Sequence, residues 1–219
     1  MNPFRICRLA DQNNIYQSLE VAYDADSIST NSAAQFSEGG PDGNPLDMTG
    51  RCNVKHNGVT LSQSSDGEGR KTLAYWTESE SLVSGHDFVF TNADGKTFEN
   101  SVDSIPITEF KSVPATISKS ADLTVEWTGP AVQSADKVCI EILAGAPVFD
   151  DIIQVACTGT PGATTVTMKS AQISKFTTGE PATLQFYREL FVPMKQTTAA
   201  GGSFSIRIRS KKGDSRLVN

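Results

Sequence analysis

The amino-acid sequence predicts an all-β fold arranged as two tandem β-sandwich domains, and three observations support this prediction. Apolar residues alternate with polar ones over short segments rich in β-branched and aromatic residues, which is the pattern of half-buried strands. Helical spacing is almost absent. Gly, Pro, Asn and Asp recur between the segments, as is typical of sandwiches rather than of alternating strands and helices.

Length and composition limit the possible classes. The chain has 219 residues, a hydrophobic fraction of 38% and a net charge of −6, from 19 basic and 25 acidic residues. This apolar content is sufficient for a core, and no apolar run reaches the ~18 residues that would span a membrane. Because nucleic-acid binding requires a basic surface, the acidic excess argues against such a partner. We interpret the basic run at 207–216 as an exposed strand face.

Alternation and turn residues place the individual elements. Asn92-Ala93-Asp94-Gly95 predicts a hairpin between strands at 87–91 and 96–102, and Asn57-Gly58 predicts another between 52–55 and 59–63. Further strands are expected at 123–127, 138–143, 152–157, 165–168 and 204–209. Short helices are expected at 170–175 and 18–23, and residues 37–50 are expected to form a long exposed loop. A change of pattern near Ser104 divides the chain into domains 1–104 and 105–219.

The cysteines indicate the compartment. Their spacing lacks the short C-x2-C pairs of a zinc site. Among the three possible pairings we favour Cys7–Cys52 and Cys139–Cys157, since each then closes within one half of the chain. The strands at 138–143 and 152–157 form a hairpin register that places Cys139 opposite Cys157. Disulfides predict an oxidising, extracytoplasmic location, and four buried free thiols are the alternative.

The second half, 107–219, has a recognisable order of strands. It contains Leu123-Thr124-Val125-Glu126-Trp127, then a Val/Ile strand, a hairpin, a Thr-rich strand and Leu184-Gln185-Phe186-Tyr187. This order resembles the immunoglobulin-like or fibronectin-type-III-like modules of bacterial envelope and secreted proteins. The first half resembles small β-sandwich modules of the same setting, through the patterns at 57–61 and 85–98. The resemblance implies two immunoglobulin-like sandwiches and transfers no catalytic residue.

Few residues suggest catalysis. His56 and His86 are the only histidines, both lie beside turn residues, and we expect both to be exposed and not catalytic. The nucleophile elbow, the Walker A motif, the dinucleotide fingerprint and the HExxH motif are absent. A hydrolase that uses His56 or His86 with a serine and a carboxylate is retained as an alternative. No cofactor and no metal site are expected.

Two residue pairs are candidates for ligand binding. Tyr75 and Trp76 are neighbours on a predicted strand, so their side chains point to opposite faces. We expect Trp76 in the core and Tyr75 partly exposed; in the alternative, Trp76 faces solvent and offers a platform for a sugar ring. Asp150 and Asp151, at the tip of the Cys139–Cys157 hairpin, are candidate ligands of calcium or a sugar, with a solvated turn as the simpler interpretation.

These observations lead to a functional expectation. The chain is expected to be a non-enzymatic, exported bacterial module for binding, adhesion or structure, located in the periplasm, on the cell surface or outside the cell. Its expected partner is a protein or a glycan at the cell surface. A carbohydrate-binding module that uses an exposed aromatic residue such as Trp76 is the first alternative.

Overall fold

The computed structural model describes residues 4–63, 74–144 and 152–219. The protein is all-β, as predicted, with 55% of residues in strands and 4% in helices. A 3₁₀ helix occupies Cys7–Leu9 and one α-helix, α1, occupies Ser170–Ile173. The strands are β1 (Arg5–Ile6), β2 (Ile15–Asp24), β3 (Ser29–Glu38), β4 (Asn44–Asp47), β5 (Asn53–His56), β6 (Val59–Thr60), β7 (Ser62–Gln63), β8 (Ala74–Ser79), β9 (His86–Thr91), β10 (Thr97–Val102), β11 (Glu109–Phe110), β12 (Thr116–Ser118), β13 (Leu123–Thr128), β14 (Asp136–Ala144), β15 (Ile152–Thr158), β16 (Thr165–Met168), β17 (Pro181–Val192), β18 (Gly202–Arg209) and β19 (Gly213–Val218).

The strands belong to two compact units, each built from separated stretches of sequence. Unit 1 takes its described residues from Met1–Ala22, Ser29–Ile105 and Phe191–Ile206, and unit 2 from Tyr23–Ile28, Pro106–Leu190 and Arg207–Asn219. The main passage between the units, from Ile105 to Pro106, lies one residue beyond the boundary expected from the sequence. Two short segments depart from that expectation. Residues 23–28, in the first half of the sequence, belong to unit 2, and residues 191–206, in the second half, belong to unit 1.

The described residues of unit 1 contain strands from two sheets. In the first, β1, β4, β3, β2 and β18 follow one another, and β3 also pairs with β8, which pairs with β7. The second has the order β10-β9-β5-β6. Aromatic rings connect them: Phe36 on β3 lies 4.7 Å from Phe90 on β9, and Phe88 lies 5.4 Å from Phe204 on β18, measured between ring centroids. The inward residues of both sheets therefore share one core.

Unit 2 also buries its core between two sheets. One contains β12, β19, β17, β14 and β15, and the other has the order β11-β13-β16. Trp127 on β13 is buried, and its ring lies 5.9 Å from that of Phe186 on β17. The expectation that Trp127 is a core residue is thus confirmed. Aliphatic residues of β14, including Val138 and Ile140, complete this layer.

Several local predictions are confirmed and two are wrong. The Asn57-Gly58 and Asn92–Gly95 turns join β5 to β6 and β9 to β10, as expected. Residues 18–23 belong to strand β2 rather than to a helix, because the alternation of buried and more accessible residues that starts at Ile15 continues to Val21. The segment 37–50 is not a single exposed loop, since it includes β4, whose Leu46 is fully buried.

Both expected disulfides are formed, one in each unit. Cys7 bonds to Cys52, and Cys139 bonds to Cys157. Cys139 and Cys157 are direct cross-strand partners in the β14–β15 hairpin. Two disulfides suggest an oxidising environment outside the cytoplasm. In the described ranges, no helix has both the length and the apolar character needed to cross a membrane.

Candidate functional site

Trp76 is a large aromatic residue on the solvent side of unit 1. It lies at the middle of β8 with 43% of its surface exposed, whereas the neighbouring Tyr75 is only 5% exposed. The expectation that Trp76 is buried and Tyr75 partly exposed is therefore wrong, and the alternative orientation holds. Strand alternation requires these side chains to face opposite ways, but it does not determine which of them enters the core.

The contacts of Tyr75 explain its inward orientation. Its hydroxyl accepts a hydrogen bond from the Met48 backbone at 2.7 Å and donates to Asp47 Oδ1 at 3.5 Å. Its ring packs edge-on against Phe36. Burial is the main reason that the pKa of Tyr75 rises to about 12, so the phenol stays protonated and can donate at physiological pH. A tryptophan could not accept the Met48 bond, since its indole N–H only donates.

The residues around Trp76 are polar and small. Trp76 lies directly opposite Ala33 on β3 and Ser62 on β7, and Glu78 lies opposite Asn31. Trp76, Glu78 and Asn31 are exposed, as is Gln35. Facing side chains on one side of antiparallel strands are ~4.5–5.5 Å apart at Cβ. An indole ring, a carboxylate and two amides are thus presented together on one face, which we name the Trp76 face (Asn31, Ala33, Gln35, Ser62, Trp76, Glu78).

The two histidines occupy a different position from the one expected. His56 ends β5 and His86 begins β9, and they are 5% and 1% exposed. The expectation that both are exposed turn residues is wrong, because the Asn57 turn folds the end of β5 against β9. The Asn57 side chain donates to the Gly85 carbonyl at 3.0 Å and accepts from the Asp87 N–H at 2.8 Å. The turn is thereby fixed to the strand that carries His86.

The imidazoles contact each other directly. His56 Nε2 lies 2.9 Å from His86 Nδ1, and the ring planes differ by 21°. Burial first, and then the neighbouring His86, lowers the pKa of His56 from 6.5 to about 4. Burial also lowers the pKa of His86, against an opposing effect of the Val83 backbone. Both rings are therefore neutral at physiological pH, and one N–H lies between them.

A cavity of about 210 Å³ borders His56, and its lining includes the hydroxyl-bearing residues Ser32, Thr30, Thr77 and Ser79. Ser32 Oγ lies 3.3 Å from His56 Nε2. A serine nucleophile requires that nitrogen as its base, with an orienting group on the opposite ring nitrogen. Here Ser32 and His86 both approach the same nitrogen, which carries one proton or one lone pair in the neutral ring. The cluster therefore does not reproduce a catalytic triad, although Glu78 also lines the cavity.

Asp150 and Asp151 lie outside the described residues. Within the ranges that the structure describes, no group of three or more His, Cys, Asp or Glu side chains could hold a metal ion. The four cysteines are not metal ligands, because all of them form disulfides.

Sequence reasoning missed the partners of Trp76 and the pairing of the histidines. Asn31 and Gln35 lie on β3, more than 40 residues from Trp76, and no local motif connects them to it. The alternating pattern of β3 could have identified Asn31 and Gln35 as solvent-facing residues. It could not have identified β8 as the strand that pairs with β3. Comparison of the sequence with protein-family models gave no match, and comparison with curated proteins gave none.

Proposed function

We propose that this chain is an exported bacterial module without enzymatic activity, and that its Trp76 face binds carbohydrate. In this proposal the two units are immunoglobulin-like sandwiches that act outside the cytoplasm, where the disulfides Cys7–Cys52 and Cys139–Cys157 persist. A role in adhesion follows if the carbohydrate belongs to a cell surface.

The exposure of Trp76 carries this proposal. A large aromatic ring at the centre of a strand usually contributes to the core, because it removes much apolar area from water. Here Tyr75 fills that position, and the indole is left on the solvent side. An exposed indole can pack its face against the C–H groups of a sugar ring and bury apolar area of both partners.

The neighbours of Trp76 supply the polar contacts that a sugar requires. A carboxylate such as Glu78 accepts hydrogen bonds from hydroxyl groups, and the amides of Asn31 and Gln35 both donate and accept. These groups are exposed on the same face as the indole. Binding a sugar through these groups requires no general base and no nucleophile. Binding without catalysis is therefore the function that this arrangement supports best.

The test is binding to polysaccharides by the whole chain and by variants at Trp76. Affinity electrophoresis through gels that contain hydroxyethyl cellulose, xylan, glucomannan, laminarin or polygalacturonate measures retardation of the native protein. We expect at least one of these gels to retard the wild type. Trp76→Ala should weaken that binding by tenfold or more, which corresponds to about 1.4 kcal/mol, whereas Trp76→Tyr should retain part of it.

The matched control is Val59→Ala, which removes an exposed apolar side chain on β6 that is not one of the Trp76-face residues. It should bind like the wild type. Equal binding by wild type and Trp76→Ala, or no retardation of the wild type in any of these gels and no binding to a wider glycan array, would contradict the proposal.

A further inference from the structure

A second cavity lies on the same sheet of unit 1 as Trp76. Its volume is about 210 Å³. Strands β2, β3 and β18 contribute Tyr16, Ser18, Gln35 and Ser203, Pro41 comes from the segment before β4, and Pro45 from β4 itself. We name it the Tyr16 cavity. Tyr16 is half-buried, so its ring is held by the sheet while part of it remains accessible.

Gln35 connects the Tyr16 cavity to the Trp76 face. It lines the cavity, and it lies two residues along β3 from Ala33, the cross-strand partner of Trp76. Two residues correspond to ~6.6 Å along a strand, and neighbouring strands are ~4.8 Å apart. Only strand β3 separates β8, which carries Trp76, from β2, which carries Tyr16. The two regions therefore form one continuous surface with an aromatic ring at each end.

The polar residues that line the Tyr16 cavity are neutral. Ser203 donates a hydrogen bond to Ser18 Oγ at 3.4 Å, and the amide of Gln35 lies beside them. Neither the lining of the Tyr16 cavity nor the Trp76 face contains a Lys or an Arg. A polyanionic glycan would meet the Glu78 carboxylate without a compensating cation, so this surface is suited to an uncharged chain.

From this juxtaposition we infer that the ligand is a linear, neutral oligosaccharide that extends from the indole of Trp76 across β3 into the Tyr16 cavity. The inference depends on the proposed function, because it specifies the ligand of the same face. A monosaccharide reaches only one of the two rings. A chain of several sugars reaches both, and the second contact raises the affinity by adding buried area without a second loss of translational freedom.

The experiment compares short and long forms of the same neutral glycans on the full-length protein. Isothermal titration calorimetry measures the affinity for cellobiose and cellohexaose, mannobiose and mannohexaose, and laminaribiose and laminarihexaose; polygalacturonate serves as the charged probe. We expect at least one hexasaccharide to bind tenfold or more tightly than its disaccharide. Polygalacturonate should bind less tightly than that hexasaccharide.

Variants at Tyr16 locate the second contact. Tyr16→Ala should remove the advantage of the hexasaccharide and leave disaccharide binding within twofold, whereas Tyr16→Phe should keep most of the advantage, because it keeps the ring. Thermal unfolding of both variants checks that β2 remains folded. Val59→Ala again serves as the control and should behave as the wild type.

The possible outcomes separate this inference from the proposed function. Equal affinity for disaccharide and hexasaccharide, or an advantage that survives Tyr16→Ala, would overturn the inference and leave sugar binding by Trp76 intact. Tighter binding of polygalacturonate than of the neutral hexasaccharide would refute the inference that the ligand is uncharged. If neither the di- nor the hexasaccharides bind, and the polysaccharide gels also show no retardation, the proposed function and the inference both fail.

Discussion

Unit 2 buries an ion pair, Arg188 and Asp136, whereas unit 1 buries two uncharged imidazoles, His56 and His86. Arg188 is fully buried and donates to Asp136 Oδ2 at 2.7 Å, to Thr108 at 3.1 Å, and to the carbonyls of Pro130 and Ala131 at 2.9 and 2.8 Å. By contrast, His86 Nε2 has no hydrogen-bond partner among the described residues.

The difference shows two ways in which a β-protein can place polar groups inside. The guanidinium keeps its charge because an anion and three neutral acceptors replace the lost water. The imidazoles instead lose their charge, since burial costs less for the neutral form. The Arg188 cluster therefore depends on all its partners being present, and the histidine pair depends on pH.

The largest effect is expected for the Arg188 cluster. Arg188→Ala leaves Asp136 buried without its counter-ion, and loss of one partner of a buried pair costs about 3–5 kcal/mol. The double variant Arg188→Met/Asp136→Leu should be less destabilised than the single variant, because no buried charge then remains. Urea denaturation measures both. Equal destabilisation would show that packing, rather than the unpaired charge, determines the stability of this region.

The chain offers one tryptophan for each unit, which allows these measurements to be separated. Trp76 belongs to unit 1 and Trp127 to unit 2. Fluorescence of a Trp76→Phe variant follows unit 2, and that of a Trp127→Phe variant follows unit 1. The destabilisation by Arg188→Ala should be seen in the Trp76→Phe background, which reports on unit 2. A larger destabilisation in the Trp127→Phe background would show that the Arg188 cluster does not act mainly on unit 2.

The disulfides should have the next largest effect. The Cys7–Cys52 bond closes 45 residues and the Cys139–Cys157 bond closes 18. Chain-entropy arguments then give about 4 kcal/mol for the longer loop and about 3 kcal/mol for the shorter one. Replacing each pair by Ala and measuring the unfolding of its own unit tests this order. A larger loss for the Cys139–Cys157 pair would mean that contacts in the β14–β15 hairpin outweigh loop length.

The histidine pair should make unit 1 sensitive to mild acid. Because burial lowers the pKa of both rings in the folded state, the unfolded chain binds more protons below pH 6.5. Stability is therefore complete above about pH 7 and falls as the pH drops from 6.5 towards 4.

The acid response of unit 2 should begin lower. Burial raises the pKa of Glu189, but Lys137 and Arg207 outweigh that effect, so the net pKa lies below 4.5. The stabilisation from Glu189 is lost only as the pH falls below 4.5. Urea midpoints between pH 7.5 and 4.5 in the two single-tryptophan backgrounds test the contrast. A His56→Gln/His86→Gln variant should flatten the response of unit 1; an unchanged slope would exclude the histidines as its cause.

Much of the local structure could be predicted because its causes are local. The Asn57-Gly58 and Asn92–Gly95 hairpins follow from residues that adopt turn conformations between two alternating segments. Residues 18–23 show where such reasoning fails: a six-residue window allowed a helix, whereas the burial pattern of β2 alternates with period two from Ile15 to Val21. Nothing in the sequence marks Arg188 as buried, because its acceptors are 52 to 80 residues away along the chain.

The amino-acid sequence alone determined the all-β class, most of the strands and the hairpin register that places Cys139 opposite Cys157, because alternation, turn residues and hairpin symmetry act between near neighbours. The tertiary structure decided that Tyr75 and not Trp76 enters the core, that His56 meets His86, and that residues 23–28 belong to unit 2 and residues 191–206 to unit 1. These outcomes depend on which strands pack together. The hydrogen bond from Met48 to Tyr75 and the 2.9 Å contact between the imidazoles exist only once distant strands have been brought side by side.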